Sequence, residues 1–120
     1  MILNRRKLGN IGEDIAVQYL KKKHYKILER NFYSCFGEID IIARKKKIII
    51  FVEVKSKQDD RFGLPEEEFT YYKKRKIYRT IQIWLKQYHI TDQHWQVDLI
   101  AIDQYLSQPE IYHYRAVSLA

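Results

Sequence analysis

The run Gly37-Glu38-Ile39-Asp40-Ile41-Ile42-Ala43-Arg44-Lys45-Lys46-Lys47-Ile48-Ile49-Ile50-Phe51-Val52-Glu53-Val54-Lys55 decides the fold. In its first half, Glu38, Asp40 and Ile42 fall on one face of an extended chain, and Ile39, Ile41 and Ala43 on the other. Lys47 to Lys57 is centred on an unbroken run of β-branched and aromatic residues, Ile48 to Val52, a strong strand signal. The link Arg44-Lys45-Lys46-Lys47 is short and charged, so the two strands should form an antiparallel hairpin. If the turn holds an even number of residues, Asp40 projects from the same face as Glu53 and Lys55, while Val52 and Val54 point to the opposite face.

Outward from the hairpin, Arg6 to Lys23 reads as an amphipathic helix. Leu8, Ile11, Ile15, Ala16, Tyr19 and Leu20 keep the i, i+3, i+4 spacing, and Lys21 to Lys23 crowd the last turn. Tyr25 to Phe32 suits an edge strand. Gln58 to Leu64 is polar and reads as a loop. Pro65-Glu66-Glu67-Glu68 resembles a helix start, although Thr70 could instead cap a second helix. The stripe Phe69, Ile77, Ile81, Trp84, Leu85, Tyr88 continues the helical pattern, Trp95 to Ile102 alternates again, and Ile111 to Val117 suits a short last strand. The expectation is one α/β domain over residues 1–120, with a mixed sheet of about four to five strands flanked by helices.

With 120 residues the chain has the size of one domain, and 46% hydrophobic residues exclude a disordered polypeptide. A single cysteine, Cys35, permits no intrachain disulfide and suits a reducing compartment. No apolar run approaches membrane-spanning length, and no apolar segment follows Arg5-Arg6-Lys7 as a signal peptide would need, so the expected location is the cytoplasm and no membrane partner is expected. The net charge is +7, unevenly spread: residues 1–57 hold 14 Lys/Arg against 6 Asp/Glu, and the remainder holds 8 against 9. A basic globular half points to a polyanion as partner.

The chemistry concentrates on the hairpin. Asp40, Glu53 and Lys55 would converge on a sheet face otherwise rich in Ile, Phe and Val. Buried charges need a partner or a metal. Two carboxylates with water and substrate phosphate describe a Mg²⁺ site, at which Mn²⁺ can substitute, and such an ion activates water for phosphodiester hydrolysis. Lys55 could then orient that water or stabilise charge on phosphate oxygen. The plainer reading is a buried ion pair that serves no reaction. The four histidines, His24, His89, His94 and His113, share no ligand spacing with Cys35, and no Gly-rich phosphate loop is present.

Gly37 to Ala43 followed by Phe51-Val52-Glu53-Val54-Lys55 resembles the core of the PD-(D/E)xK nuclease superfamily. Gly12-Glu13-Asp14-Ile15-Ala16, Tyr19-Leu20, Arg30-Asn31, those two runs and Phe62-Gly63 together are similar to the YraN-like family of uncharacterised bacterial proteins, related to archaeal Holliday-junction resolvases. The resemblance implies a restriction-endonuclease-like fold and a metal-dependent endonuclease acting on DNA, on branched or nicked substrates. It also implies a homodimer, since resolvase relatives cut two strands symmetrically. By position, Asp40 and Glu53 would hold metal with the Val54 carbonyl, Lys55 would be the catalytic lysine, and Glu13 would complete the site. Glu13 also suits a solvated acid on its helix. Lys73 matches a lysine common in the family. It and Lys76 could touch phosphate or belong to a solvated face, and Lys45 and Lys46 would extend a nucleic-acid surface. Ile39 replaces the proline of the superfamily's name. Asp98, kept in Gln96-Val97-Asp98, suits a strand anchor. The alternative is a non-catalytic nucleic-acid-binding module with a vestigial nuclease site.

Overall fold

The computed structural model describes residues 5–57, 69–104 and 107–120, without the side chains of 5–10 and 57. In chain order its elements are α1 (Arg5–Lys22), β1 (Lys26–Ser34), β2 (Gly37–Lys45), β3 (Ile48–Lys57), α2 (Tyr71–Gln87), β4 (His94–Asp103) and β5 (Glu110–Tyr114). The strands form one mixed sheet in the order β1-β2-β3-β4-β5, in which β3 and β4 run parallel and every other neighbouring pair antiparallel. The expected α/β architecture, a mixed sheet flanked by helices, is therefore what forms. Among the described residues, no helix is long and apolar enough to cross a membrane.

The Ile48–Val52 run is apolar throughout because β3 is central, with a helix against each of its faces. On one side α1 buries Ala16, Val17 and Leu20 against Ile41, Ala43, Ile50, Val52, Ile100 and Ile102. On the other, α2 buries Ile77, Ile81, Trp84 and Leu85 against Ile42, Ile49, Phe51, Val97 and Leu99. Each large side chain so buried contributes roughly 1.5–3 kcal/mol. Thr70, not Pro65, sets the start of α2: its hydroxyl accepts the Lys73 N–H at 3.3 Å. Pro65 to Glu68, the Gln58–Leu64 loop, Phe62-Gly63 and the side chain of Leu8 lie outside the described residues.

Three side chains depart from the simple periodicity. Ile11 is 41% exposed, so the buried stripe of α1 begins only at Ile15 and Ala16 and takes in Val17. Tyr88 caps the end of α2 and is exposed. Ile39 joins the α2-side cluster instead of packing with Ile41 and Ala43. On the neighbouring strand Asn31, between the pairs Arg30–Ile41 and Phe32–Ile39, has φ 53°, and this left-handed residue breaks the regular pleat.

Gly12 sets how closely α1 approaches β3. A Cβ there would lie 1.8 Å from Ser56 Oγ and 3.1 Å from Ser56 Cβ, and Ser56 Oγ is already held by Gln104 Nε2 at 3.0 Å. Asp98 holds the opposite flank. Fully buried on the α1 side of β4, it lies 2.7 Å from His113 Nε2 and accepts from Gln96 Nε2 (2.9 Å) and the Ala116 N–H (3.0 Å). Tyr19 Oη, on α1, lies 2.9 Å from His113 Nδ1, so one polar chain joins α1, β5 and β4. Burial alone would raise the Asp98 carboxyl, but the bonds from His113, Ala116 and Gln96 hold it below its usual value.

Alanine favours a helix over glycine by about 1 kcal/mol. Gly12→Ala should nevertheless lower the urea midpoint by a net ~1 kcal/mol, because the overlap with Ser56 costs ~1–3 kcal/mol. Asp98→Ala should cost about 3 kcal/mol in the same measurement, since it strands the donors of His113, Gln96 and Ala116.

Candidate active site

The β2–β3 turn contains two residues, Lys46 and Lys47, with Lys46 at φ 56°, so the register pairs Lys45 with Ile48 and ends at Ile41 with Val52. Asp40 and Glu53 are the next facing positions, and Glu53 lies on the α2 side, beside Ile39 and Ile77. The next β3 amide turned toward β2 is that of Val54, and its N–H donates to Asp40 Oδ2 at 2.8 Å. Within a strand the N–H and C=O of one residue point to the same side, so the Val54 carbonyl faces β2 as well. Glu53 shares a crevice with Ile39, Phe51, Ile77 and Val97.

This setting penalises negative charge. Burial pushes the Asp40 carboxyl up to about 7, and neighbouring Glu13 and Glu38 add to the rise; the Val54 N–H and Lys55 oppose it. Burial likewise pushes Glu53 up to about 8, reinforced by Asp40 and opposed by Lys55 and Lys73. The charge of Lys55, on β3, bears on both acids, and that of Lys73, in the first turn of α2, on Glu53. Lys73 is thus the member of the basic helix segment that the fold carries to the acids, while Lys76 lies exposed one turn on, beside Gly37.

Glu13 arrives from α1. Its side chain is 12% exposed, and Arg30 Nη2 stands 3.8 Å from its Oε1, too far for a hydrogen bond. That Oε1 is buried without a hydrogen-bond partner among the described residues. Burial raises this carboxyl too, with Arg30 and an Asn31 hydrogen bond opposing. It is therefore not a solvated acid. Arg30 also binds Asp14 at 2.7 Å, so the Arg30-Asn31 pair positions the start of the site acids on α1. The reading from sequence gave Arg30, Asn31 and Glu38 no role. The adjacency of Arg30-Asn31 within a strand was the available signal, whereas the electrostatic part of Glu38 depends on tertiary placement.

Lys45 and Lys46 are not brought to these acids. They lie at the other end of β2, about 17 Å away at the usual strand rise. The Lys45 ammonium is hydrogen-bonded to the Lys23 carbonyl and stands 4.9 Å from the Tyr25 ring centroid. Asp98 points to the opposite sheet face from Glu53 and is bound within the α1 layer.

The donor set suits a hard divalent cation. Two buried carboxyls, a carbonyl turned toward β2 and a Glu13 oxygen without a hydrogen-bond partner among the described residues are all oxygen ligands. Among the described residues no three acidic, His or Cys side chains converge closely enough to form a complete cage.

The profile of the uncharacterised protein family UPF0102 matches residues 12–102. A UPF0102 protein of Geotalea daltonii is 46% identical over 88% of this chain and 84% of its own length. One from Persephonella marina is 48% identical over 78% and 81%, and one from Geobacter metallireducens 42% over 94% and 93%. Among solved structures, the crystal structure of SSO0001 has 20% identity and a TM-score of 0.41, over 94% of this chain and 52% of that one, a likeness too loose to carry a statement about chemistry.

An unfolded carboxyl releases its proton near pH 4, whereas folded Asp40 and Glu53 hold theirs to about 7 and 8. Between those limits the folded state binds more protons than the unfolded one, so stability falls as pH rises. In chelator, the melting temperature should drop from pH 5 to pH 8 by the equivalent of up to about 6 kcal/mol. Glu53→Gln should flatten the drop and melt above the parent at pH 8. Added Mg²⁺ or Mn²⁺ should raise the parent's melting temperature more at pH 8 than at pH 5.

Proposed function

We propose, for a chain that belongs to the uncharacterised protein family UPF0102, that Asp40, Glu53 and Lys55 are the centre of a Mg²⁺-dependent endonuclease that hydrolyses phosphodiester bonds in DNA, on branched or nicked substrates. This is the YraN-like family that the sequence resembles. The observation that carries the reading is the burial of two carboxyls at facing positions of β2 and β3, with Lys55 bearing on both and Lys73 on Glu53. Such a pair is costly to keep for stability alone, and a bound divalent ion removes the cost.

Asp40 and Glu53, with the Val54 carbonyl, would hold the cation. When bound, it supplies Lewis-acid polarisation of the scissile phosphate and a water acidified toward hydroxide. Val54 N–H fixes Asp40 through Oδ2, which sets the carboxylate plane before substrate arrives. Lys55, between both acids, would orient the attacking water or neutralise charge growing on a phosphate oxygen. Lys73 would ground the adjacent phosphate from the start of α2. Glu13, with an oxygen that lacks a hydrogen-bond donor, would take a proton or a metal-bound water.

The second reading is a nucleic-acid-binding module without catalysis. The raised carboxyls favour it, since acids that hold their protons to about 7 and 8 need no metal to stay buried.

With Mg²⁺ or Mn²⁺ the purified protein should cut branched, nicked or single-stranded DNA. Glu53→Ala and Lys55→Ala should each lose about 100-fold or more while still melting cooperatively. Cutting no faster than that of these variants would reject the enzyme. Salt-sensitive binding that Glu53→Ala leaves unchanged would then favour the module.

A further inference from the structure

The outer face of α2 carries large side chains that the core does not use. Tyr72 is 77% exposed and Tyr71 63%, their rings in an edge contact at 6.2 Å. Tyr72, Lys76 and Arg79 follow at i, i+4 and i+7, one stripe on the helix. Its origin is next to Lys73, which acts on Glu53. Its far end meets Phe36 in the β1–β2 turn, where the Arg79 guanidinium lies 5.1 Å from the ring centroid and Phe36 stays 37% exposed.

The turn is built to hold that ring. Gly37 has φ 149°, a conformation open to glycine alone. The Phe36 N–H donates to Ser34 Oγ at 3.1 Å, and that oxygen lies 2.8 Å from Thr80 Oγ1 on α2. Phe36 and Tyr72 are therefore two exposed aromatic side chains on fastened backbone, with the cations of Lys76 and Arg79 between them. The stripe from residue 72 to 79 is about 10 Å long, the length of about three stacked nucleotides.

We infer that this stripe is a track for an unpaired DNA strand leading to or from the acidic centre, with Phe36 and Tyr72 stacking on bases and Lys76 and Arg79 meeting phosphates. Charge complementarity selects a polyanion. The aromatic faces select an unpaired strand, since duplex bases offer no free face to a side chain. The inference rests on the proposed function for the identity of the centre and adds the substrate's local form: single-stranded DNA next to the cut.

The test is binding in chelator, where no cutting occurs. Fluorescence anisotropy should show labelled oligo-dT bound more tightly than a duplex of equal length. Phe36→Ala and Tyr72→Ala should each weaken oligo-dT binding about fivefold or more with little effect on the duplex, and Tyr72→Phe should restore it. Tyr72 is 77% exposed, so Tyr72→Ala keeps the parent's melting temperature, and Phe36→Ala is compared at a temperature where it is fully folded. Equal affinity for the duplex, or alanine variants that bind oligo-dT like the parent, overturns the track. A single-strand preference in a protein that cuts nothing supports the track and rejects the nuclease. Cutting without that preference does the reverse.

Discussion

The register of β2 on β3 is the constraint on which the rest depends. The two-residue turn at Lys46-Lys47 makes Asp40 and Glu53 facing positions and turns Glu53 toward α2. A slip of one residue would carry Glu53 to the α1 face and bring Val52 and Val54 under α2. The pairing also stops where the acids begin, at Ile41–Val52, so the Val54 N–H is free to meet the Asp40 side chain. Side-chain carboxylate takes over from backbone ladder at that point, and the end of the hairpin becomes a polar site within an apolar sheet. Gly12 makes the same place reachable from the other layer, by letting α1 approach Ser56 and deliver Glu13.

Much of this was legible because it is local. Period-two alternation in Glu38–Ala43 and the β-branched run in Ile48–Val52 each name a strand, and the short link between them names their pairing. From pairing, the common face of Asp40, Glu53 and Lys55 follows without any knowledge of the fold. What could not be read was set by distant partners. The departure of Ile39 from its alternation depends on the left-handed Asn31 in the next strand. His113, set aside as a scattered histidine, finds Asp98 and Tyr19 only once β5 lies against β4. The start of α2 rests on a side-chain bond, Thr70 to Lys73, which the sequence offered as one of two openings.

The basic excess of residues 1–57 is likewise divided by the fold. Lys45 and Lys46 end at the pole of the sheet remote from the acids, and Lys45 is engaged with Lys23 and Tyr25. The two lysines that bear on Glu53 come from different halves of the chain, Lys55 and Lys73. Net charge by segment therefore indicates attraction to a polyanion and says little about where that polyanion is gripped. The exposed basic and aromatic residues beside the acids lie largely on α2, in the half of the chain that is close to neutral overall.

Two buried aspartates in this one sheet show how a structural acid differs from a site acid. Asp98 has two firm donors and His113 within hydrogen-bond distance, and its carboxyl is held below the usual value despite complete burial. Asp40 has the Val54 N–H and an incomplete counter-charge from Lys55, and its carboxyl rises to about 7. Asp40 is on β2 and Asp98 on β4, the two strands that flank β3, and both are buried, so burial does not distinguish them. The number of donors does. A fold able to satisfy Asp98 so fully could have done the same for Asp40, yet there it places Glu53, Glu13 and Glu38 around the acid instead. Acids gathered in an apolar setting must either hold their protons or meet a cation, and the lysines at hand are shared among them. That shortfall of positive charge, more than the presence of any one residue, is the physical argument for a metal ion at the end of the hairpin.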